Sequence, residues 1–189
     1  MRKLLAIVLL LVPAMLAWAQ DETTMQGAVK VTKILTPAKE LRFAVEVPAP
    51  VDQVWQAMTT AEGLKTWLTP DAKVDLRAGG DWLAIFPGGV APGGGPIVSF
   101  VPEKSITLRA MAPTQFPTVR QERTLAVFEL KPVDAKTTRV TLQQTGWKEG
   151  KEWDDAFEYL SKGNPQLLNA LRQRFVSGPI DWAAVMAKH

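Results

Sequence analysis

Seven stretches with strand-like composition precede one long helix with an apolar stripe at the C-terminal end, and that order leaves few folds open. An antiparallel sheet with one apolar face needs a cover, and in this chain only the terminal helix is long enough to supply it. The 189 residues contain no cysteine. No disulfide supports the fold, so the domain must rest on a hydrophobic core, which a single domain of this length can build.

The first clear strand is "ELRFAVEVPAP", where Leu41, Phe43, Val45 and Val47 alternate with Arg42, Ala44 and Glu46 before Pro48 and Pro50 end it. Val51, Val54, Trp55 and Met58 then fall at i, i+3, i+4 and i+7, one face of a short helix with Pro50 near its first turn. "AEGLKTWL" makes a second short helix that Pro70 stops. "AKVDLRAGG" and "DWLAIFP" are short strands joined at Gly79-Gly80. "IVSFV" and "SITLRAM" form a hairpin, as do "RTLAVFELKPV" and "TTRVTLQQTGW". Six to seven antiparallel strands are expected in all. The segments 87–96, "PGGVAPGGGP", and 112–121, "APTQFPTVRQ", read as loops.

At the C-terminal end Trp153, Phe157 and Leu160 recur at i, i+4 and i+7. Gly163-Asn164-Pro165 then predicts a break, with Asn164 capping a new helix and Pro165 in its first position. Leu167, Leu168, Leu171 and Phe175 stripe that helix, Gly178-Pro179 ends it, and Asp181 caps a last turn carrying Trp182 and Val185.

At the other end Arg2 and Lys3 precede nine apolar residues, Leu4 to Val12, and a small-residue stretch closing on Ala17-Trp18-Ala19. This pattern predicts a signal peptide over 1–19, and hence a periplasmic or secreted protein with no integral membrane segment after cleavage. Residues 20–38 are a lead segment, either a tether or a first edge strand, and 39–189 form the domain. The net charge of +3 owes much to the first three residues: without Arg2 and Lys3 the 22 basic residues become 20, against 19 acidic. With no Lys/Arg block, nucleic acid is not an expected partner.

Catalytic material is sparse. The single histidine is His189, the last residue, which with the absence of cysteine leaves no histidine metal site, serine triad or thiol chemistry. No catalytic residue, metal or cofactor is predicted. The glycine-rich stretch lacks the Lys-Ser/Thr pair of a phosphate loop. Glu149, Glu152, Asp154 and Asp155 sit at a helix start, where carboxylates complement the dipole. Aromatic residues are the richer signal. Trp55 and Trp67 pin the short helices. Trp82, Ala84 and Phe86 share a strand face, Phe100, Phe128 and Leu142 fall on the same concave surface, and Trp147 and Phe157 close one end. Leu168 and Leu171 face them from the helix. Trp82, Phe86, Phe100, Phe128, Trp147, Phe157, Leu168 and Leu171 are therefore the candidate ligand-binding residues, as core or as pocket wall.

The stretches "VPAPVDQVWQAMTTAEGLKTWL", "DLRAGGDW", "TLAVFELKPVDAKTTRVTLQQTGW" and "LLNALRQRF", in this order, resemble the SRPBCC or START-like superfamily, and within it proteins related to the activator of heat-shock-protein-90 ATPase. The resemblance spans about residues 39–177. It implies an α+β helix-grip fold: a curved antiparallel sheet wrapped around a long C-terminal helix, with two short helices after the first strand and a cavity between sheet and helix. Two features depart from the family pattern. The export signal separates the chain from a cytosolic chaperone, and Gly163-Asn164 stands where many relatives have Gly-Trp. The reading that follows is an exported domain binding a small apolar or amphipathic ligand as carrier or sensor. Two others stay open: an enzyme using a cavity carboxylate or Tyr159, and an envelope stress or protein-interaction accessory factor contacting partners through loops 87–96 and 112–121.

Overall fold

The computed structural model describes residues 21–187; the expected signal peptide and His189 lie outside the described residues. Among the described residues nine strands and five helices follow one another as β1 (Glu22–Gln26), β2 (Val29–Ile34), β3 (Glu40–Val47), α1 (Val51–Thr59), α2 (Ala61–Lys65), β4 (Asp71–Val74), β5 (Asp81–Ile85), β6 (Gly93–Val101), β7 (Ser105–Ala110), α3 (Pro117–Glu122), β8 (Thr124–Asp134), β9 (Thr137–Thr145), α4 (Lys151–Ser177) and α5 (Trp182–Met186). The strands form one antiparallel sheet in the order β1-β2-β3-β9-β8-β7-β6-β5-β4. Alternation puts Leu41, Phe43, Val45 and Val47 of β3 and Val140 and Leu142 of β9 on the face that α4 covers, where all are buried. Leu168 and Leu171 of α4 are fully enclosed, and α4 packs most closely on β2 and β3. Each such side chain contributes about 1.5–3 kcal/mol through its burial.

Beyond residues 93–96 of the glycine-rich segment, which begin β6 rather than lie in a loop, three expectations need correction. The sheet has nine strands, not six or seven, because the lead segment supplies a hairpin, β1–β2, that extends the sheet beyond β3. Its turn docks on α4: Asn169 accepts from the Ala28 N–H at 3.1 Å and donates to Gln26 O at 2.9 Å. The segment 112–121 is not only loop, since Pro117 opens the short helix α3; Arg123, expected on a strand, ends that helix with φ +68°.

The third correction concerns Gly163-Asn164-Pro165, which does not break the terminal helix. α4 runs unbroken through all three residues. Pro165 has no N–H to give Ser161 O, a loss that with ring crowding disfavours a helix-interior proline by about 3 kcal/mol. Here the freed Ser161 carbonyl accepts from Gln26 Nε2 at 3.3 Å, so the β1–β2 hairpin fills the vacancy. Pro165 itself is buried. Packing along the whole helix therefore outweighs the local preference.

Trp67 and Trp82 have a shared structural task. The last carbonyls of any α-helix lack intrahelical donors. At the end of α1, Gln56 O accepts from Thr60 Oγ1 (2.8 Å), Ala57 O from Trp67 Nε1 (2.9 Å) and Met58 O from Trp82 Nε1 (2.7 Å). Both rings are buried, and their single N–H donors close off the helix end inside the core. At the far end of the chain, Ile180 N–H donates to Thr66 O and Trp182 Nε1 to Lys65 O, latching the C-terminal tail over α2.

Candidate functional site

Between the sheet and the middle of α4 lies a chamber of about 110 Å³. Its floor is built by strand alternation: Trp82 of β5, Gly94 of β6, Leu108 and Ala110 of β7, Ala126 and Phe128 of β8, and Leu142 and Gln144 of β9. Register aligns these positions, with Leu108 opposite Ala126 and Phe128 opposite Leu142. Its roof is one face of α4, Leu160, Asn164 and Leu167, at i, i+4 and i+7. Space remains because Gly94, Ala110 and Ala126 bring little volume and because α4 leans toward β2 and β3. The rings of Trp82 and Phe128 lie 6.5 Å apart, stacked at 29°.

Two polar side chains enter this apolar wall. Gln144 is buried; its Nε2 donates to Thr124 Oγ1 at 2.7 Å and its Oε1 accepts from Asn164 Nδ2 at 2.8 Å. The backbone carbonyl of Gln144 accepts from Trp147 Nε1 at 3.0 Å.

The chamber adjoins a larger open space of about 510 Å³, which shares Met111 and Leu160 with it. Phe86, Val90, Pro92, Ala112 and Tyr159 border this mouth. Arg120 spans it as a staple, donating from Nη1 to Ala112 O (2.6 Å) and from Nη2 to Pro92 O (2.9 Å). Tyr159 packs edge-on against Phe116, centroids 5.5 Å apart. Among the described residues no Asp or Glu lines either space, and Tyr159 and Arg120 are the ionisable groups at the mouth.

The carboxylates that cluster in sequence at the start of α4 serve separate partners. Asp154 pairs with Lys39, and Asp155 with Lys151 at 2.7 Å. Glu152 Oε1 accepts from the N–H groups of Thr118 (2.6 Å) and Val119 (3.1 Å), tying α3 to α4. Desolvation works to raise the Glu152 carboxyl, but the hydrogen bonds from Thr118 and Val119 outweigh it and hold the group below its ordinary value of about 4.5. A lowered folded value means that the ionised group stabilises the fold above its ordinary value and loses that effect as pH falls through the lowered one. Glu152→Gln should therefore lower Tm at pH near 6, and the gap to wild type should close on acidification toward pH 3; a gap that is constant across this range in thermal melts would contradict the assignment.

The structure distributes the candidate ligand-binding residues over three places. Trp82 and Phe128 line the chamber, and Phe86 lines the mouth. Trp147 and Phe157 meet edge-on at 5.1 Å in an aromatic cluster with Trp153, which joins the main core to a second one around Phe116 and Val119. Phe100, Leu168 and Leu171 pack in the core, and these three, with Trp147 and Phe157, are not among the residues lining the chamber or mouth. The reading from sequence missed Gly94, Leu108, Ala110, Met111, Ala126, Gln144, Leu160, Asn164 and Leu167 as lining residues. Gln144 was within reach of it: "VTLQQTGW" places a glutamine where the alternation of Val140 and Leu142 calls for an apolar residue.

An antiparallel sheet gripping a long C-terminal helix, with a chamber between the two, defines a helix-grip protein of the SRPBCC or START-like class. The family model described as Activator of Hsp90 ATPase homolog 1-like protein matches residues 48–175, more than half of the chain, and the chain belongs to that family. Among solved structures it is similar to the Aha1 dimer from Colwellia psychrerythraea, at 22% identity, TM-score 0.59, over 74% of this chain and 97% of that one. CalU16 from Micromonospora echinospora matches at 20% identity, TM-score 0.55, over 85% of this chain and 86% of its own. DynU16, a putative protein in the dynemicin biosynthetic locus, matches at 19% and TM-score 0.59, over 74% of this chain and 48% of its own. At these identities the likenesses speak for the fold alone. No curated protein matches the chain significantly. Among the described residues no helix is long and apolar enough to cross a membrane.

Proposed function

We propose that this protein is an exported binding module that holds a small apolar or amphipathic ligand between its sheet and α4, as a carrier or sensor without covalent chemistry. The observation that carries the reading is the apolar chamber of about 110 Å³ opening into a mouth of about 510 Å³. Natural ligand sites have this form, apolar walls with a few convergent polar groups. An apolar cavity of about 150 Å³ holds a benzene ring; the chamber, somewhat smaller, would take the end of a ligand, and the mouth the rest of it. Export is supported by the pattern of residues 1–19 and places the protein in the periplasm or outside the cell, away from a cytosolic chaperone.

Native mass spectrometry of the protein purified from its own envelope, before and after organic extraction, tests the reading. A bound mass that extraction removes is expected. The variant Ala126→Leu fills the chamber floor and should purify without that mass while keeping its fold by circular dichroism. An apo mass for the wild type in every preparation, with no thermal shift from any lipid extract, would refute it.

A further inference from the structure

Two residues in the chamber break the local rules of the elements that carry them, and they break them at the same place. Asn164 stands in the interior of α4, where asparagine is a poor helix former because its side chain competes for backbone groups. A leucine there, with the same branching and number of side-chain heavy atoms, would favour the helix and complete the apolar wall. Gln144 occupies an inward position of β9, in line with Thr138, Val140 and Leu142. Burial of an amide is tolerated only when it is hydrogen-bonded. The two side chains bond to each other and to Thr124, yet their capacity exceeds what they use. Each amide has two N–H donors and an oxygen with two lone pairs. Among the described residues Asn164 Oδ1 accepts no hydrogen bond, and Gln144 and Asn164 each have one N–H in use. Asn164 is only half-buried and lines the chamber one helical turn beyond Leu160, one of the two residues shared with the mouth.

We infer that the Gln144–Asn164 pair is the polar recognition point of the chamber and selects a ligand whose inner end has a neutral hydrogen-bonding group, a hydroxyl or carbonyl, on an apolar body. The inference rests on the binding reading above. A hydroxyl matches the pair best, since it donates to Asn164 Oδ1 and accepts from a spare amide N–H. A carboxylate or ammonium at this depth finds no opposite charge, because among the described residues no ionisable side chain lines the chamber; an uncompensated buried charge is strongly disfavoured. Arg120 does not supply one: it stands at the mouth, with both terminal nitrogens already bonded to carbonyl groups.

The test uses the whole mature chain and three probes of one length: 1-decanol, decanoate and decane, followed by tryptophan fluorescence and thermal shift at neutral pH. Decanol should bind about tenfold or more tightly than decanoate. Asn164→Leu should weaken decanol about tenfold, the equivalent of one lost hydrogen bond, and leave decane unchanged or tighter. The wild-type ranking of the three probes needs no variant, so a failure of Asn164→Leu to fold leaves the inference testable. Decanoate binding as tightly as decanol, or a variant that weakens decanol and decane alike, would overturn the recognition role while the binding reading stands. Binding of none of the three would overturn both.

Discussion

Trp82→Ala is expected to destabilise the domain by about 3–5 kcal/mol, the range for loss of a large buried aromatic side chain. Three effects combine. The ring is buried, and its removal merges a new void with the existing chamber. Its stacking with Phe128 is lost. Met58 O also loses its donor inside the core, where an unpartnered carbonyl is costly. Trp82→Phe separates the last effect from the others: it retains most of the ring and should cost about 1–3 kcal/mol, mostly from the orphaned carbonyl. Chemical denaturation of the three proteins gives the comparison. A Trp82→Ala loss below 1 kcal/mol would mean that this ring neither fills the wall nor ends α1. The alanine variant, where it folds, should also accept bulkier probes than the wild type, because the chamber floor has dropped.

Gly94→Ala is expected to be about as damaging, for a different reason. Gly94 lies in β6 with φ +99°, outside the range that side chains adopt readily. A Cβ there would stand 2.1 Å from the Trp82 carbonyl oxygen and 2.6 Å from its ring. Backbone strain contributes about 1–3 kcal/mol and overpacking about 1–3 more. The neighbouring Gly93 is the control. A Cβ added there meets only Phe86 Cε2, at an ordinary 3.7 Å, and Gly93→Ala should change stability by no more than about 0.5 kcal/mol. Equal effects from the two substitutions in a denaturation series would show that β6 does not lie against Trp82 as described. Apart from Gly93, the glycines of "PGGVAPGGGP" thus divide into two pairs. Gly88 and Gly89 turn in open space, whereas Gly94 and Gly95 lie against other backbone, Gly95 facing Arg109 O at 2.0 Å from where its Cβ would be. Composition alone marks the whole stretch as loop, although its last four residues are strand.

The alternation of Leu41, Phe43, Val45 and Val47, the i, i+3, i+4 and i+7 spacing of Val51 to Met58, and the apolar stripe Leu167, Leu168 and Leu171 were all readable in the sequence, because period-2 and period-3.6 patterns follow from which face an element buries. They determined the order of these elements and that the terminal helix covers the sheet; the helix-grip fold was what the family resemblance implied. Tertiary structure decided the rest. The lead segment became β1–β2 only through partners far along the chain, Asn169 and the Ser161 carbonyl. Pro165 stayed inside α4 because Gln26 accepts the task that a helix N–H would have done, a compensation no local window contains. The site itself is a set of absences: Gly94, Ala110 and Ala126 leave volume that larger residues would have filled, and a void is visible only when the surfaces on both sides of it are in place. For the same reason Phe100, Leu168 and Leu171, chosen for size, lie in the core, while the chamber opens where Gly94, Ala110 and Ala126 stand among larger residues such as Trp82 and Phe128. Size and periodicity are local properties of a chain, but empty space between a sheet and a helix depends on how far apart their packing holds them.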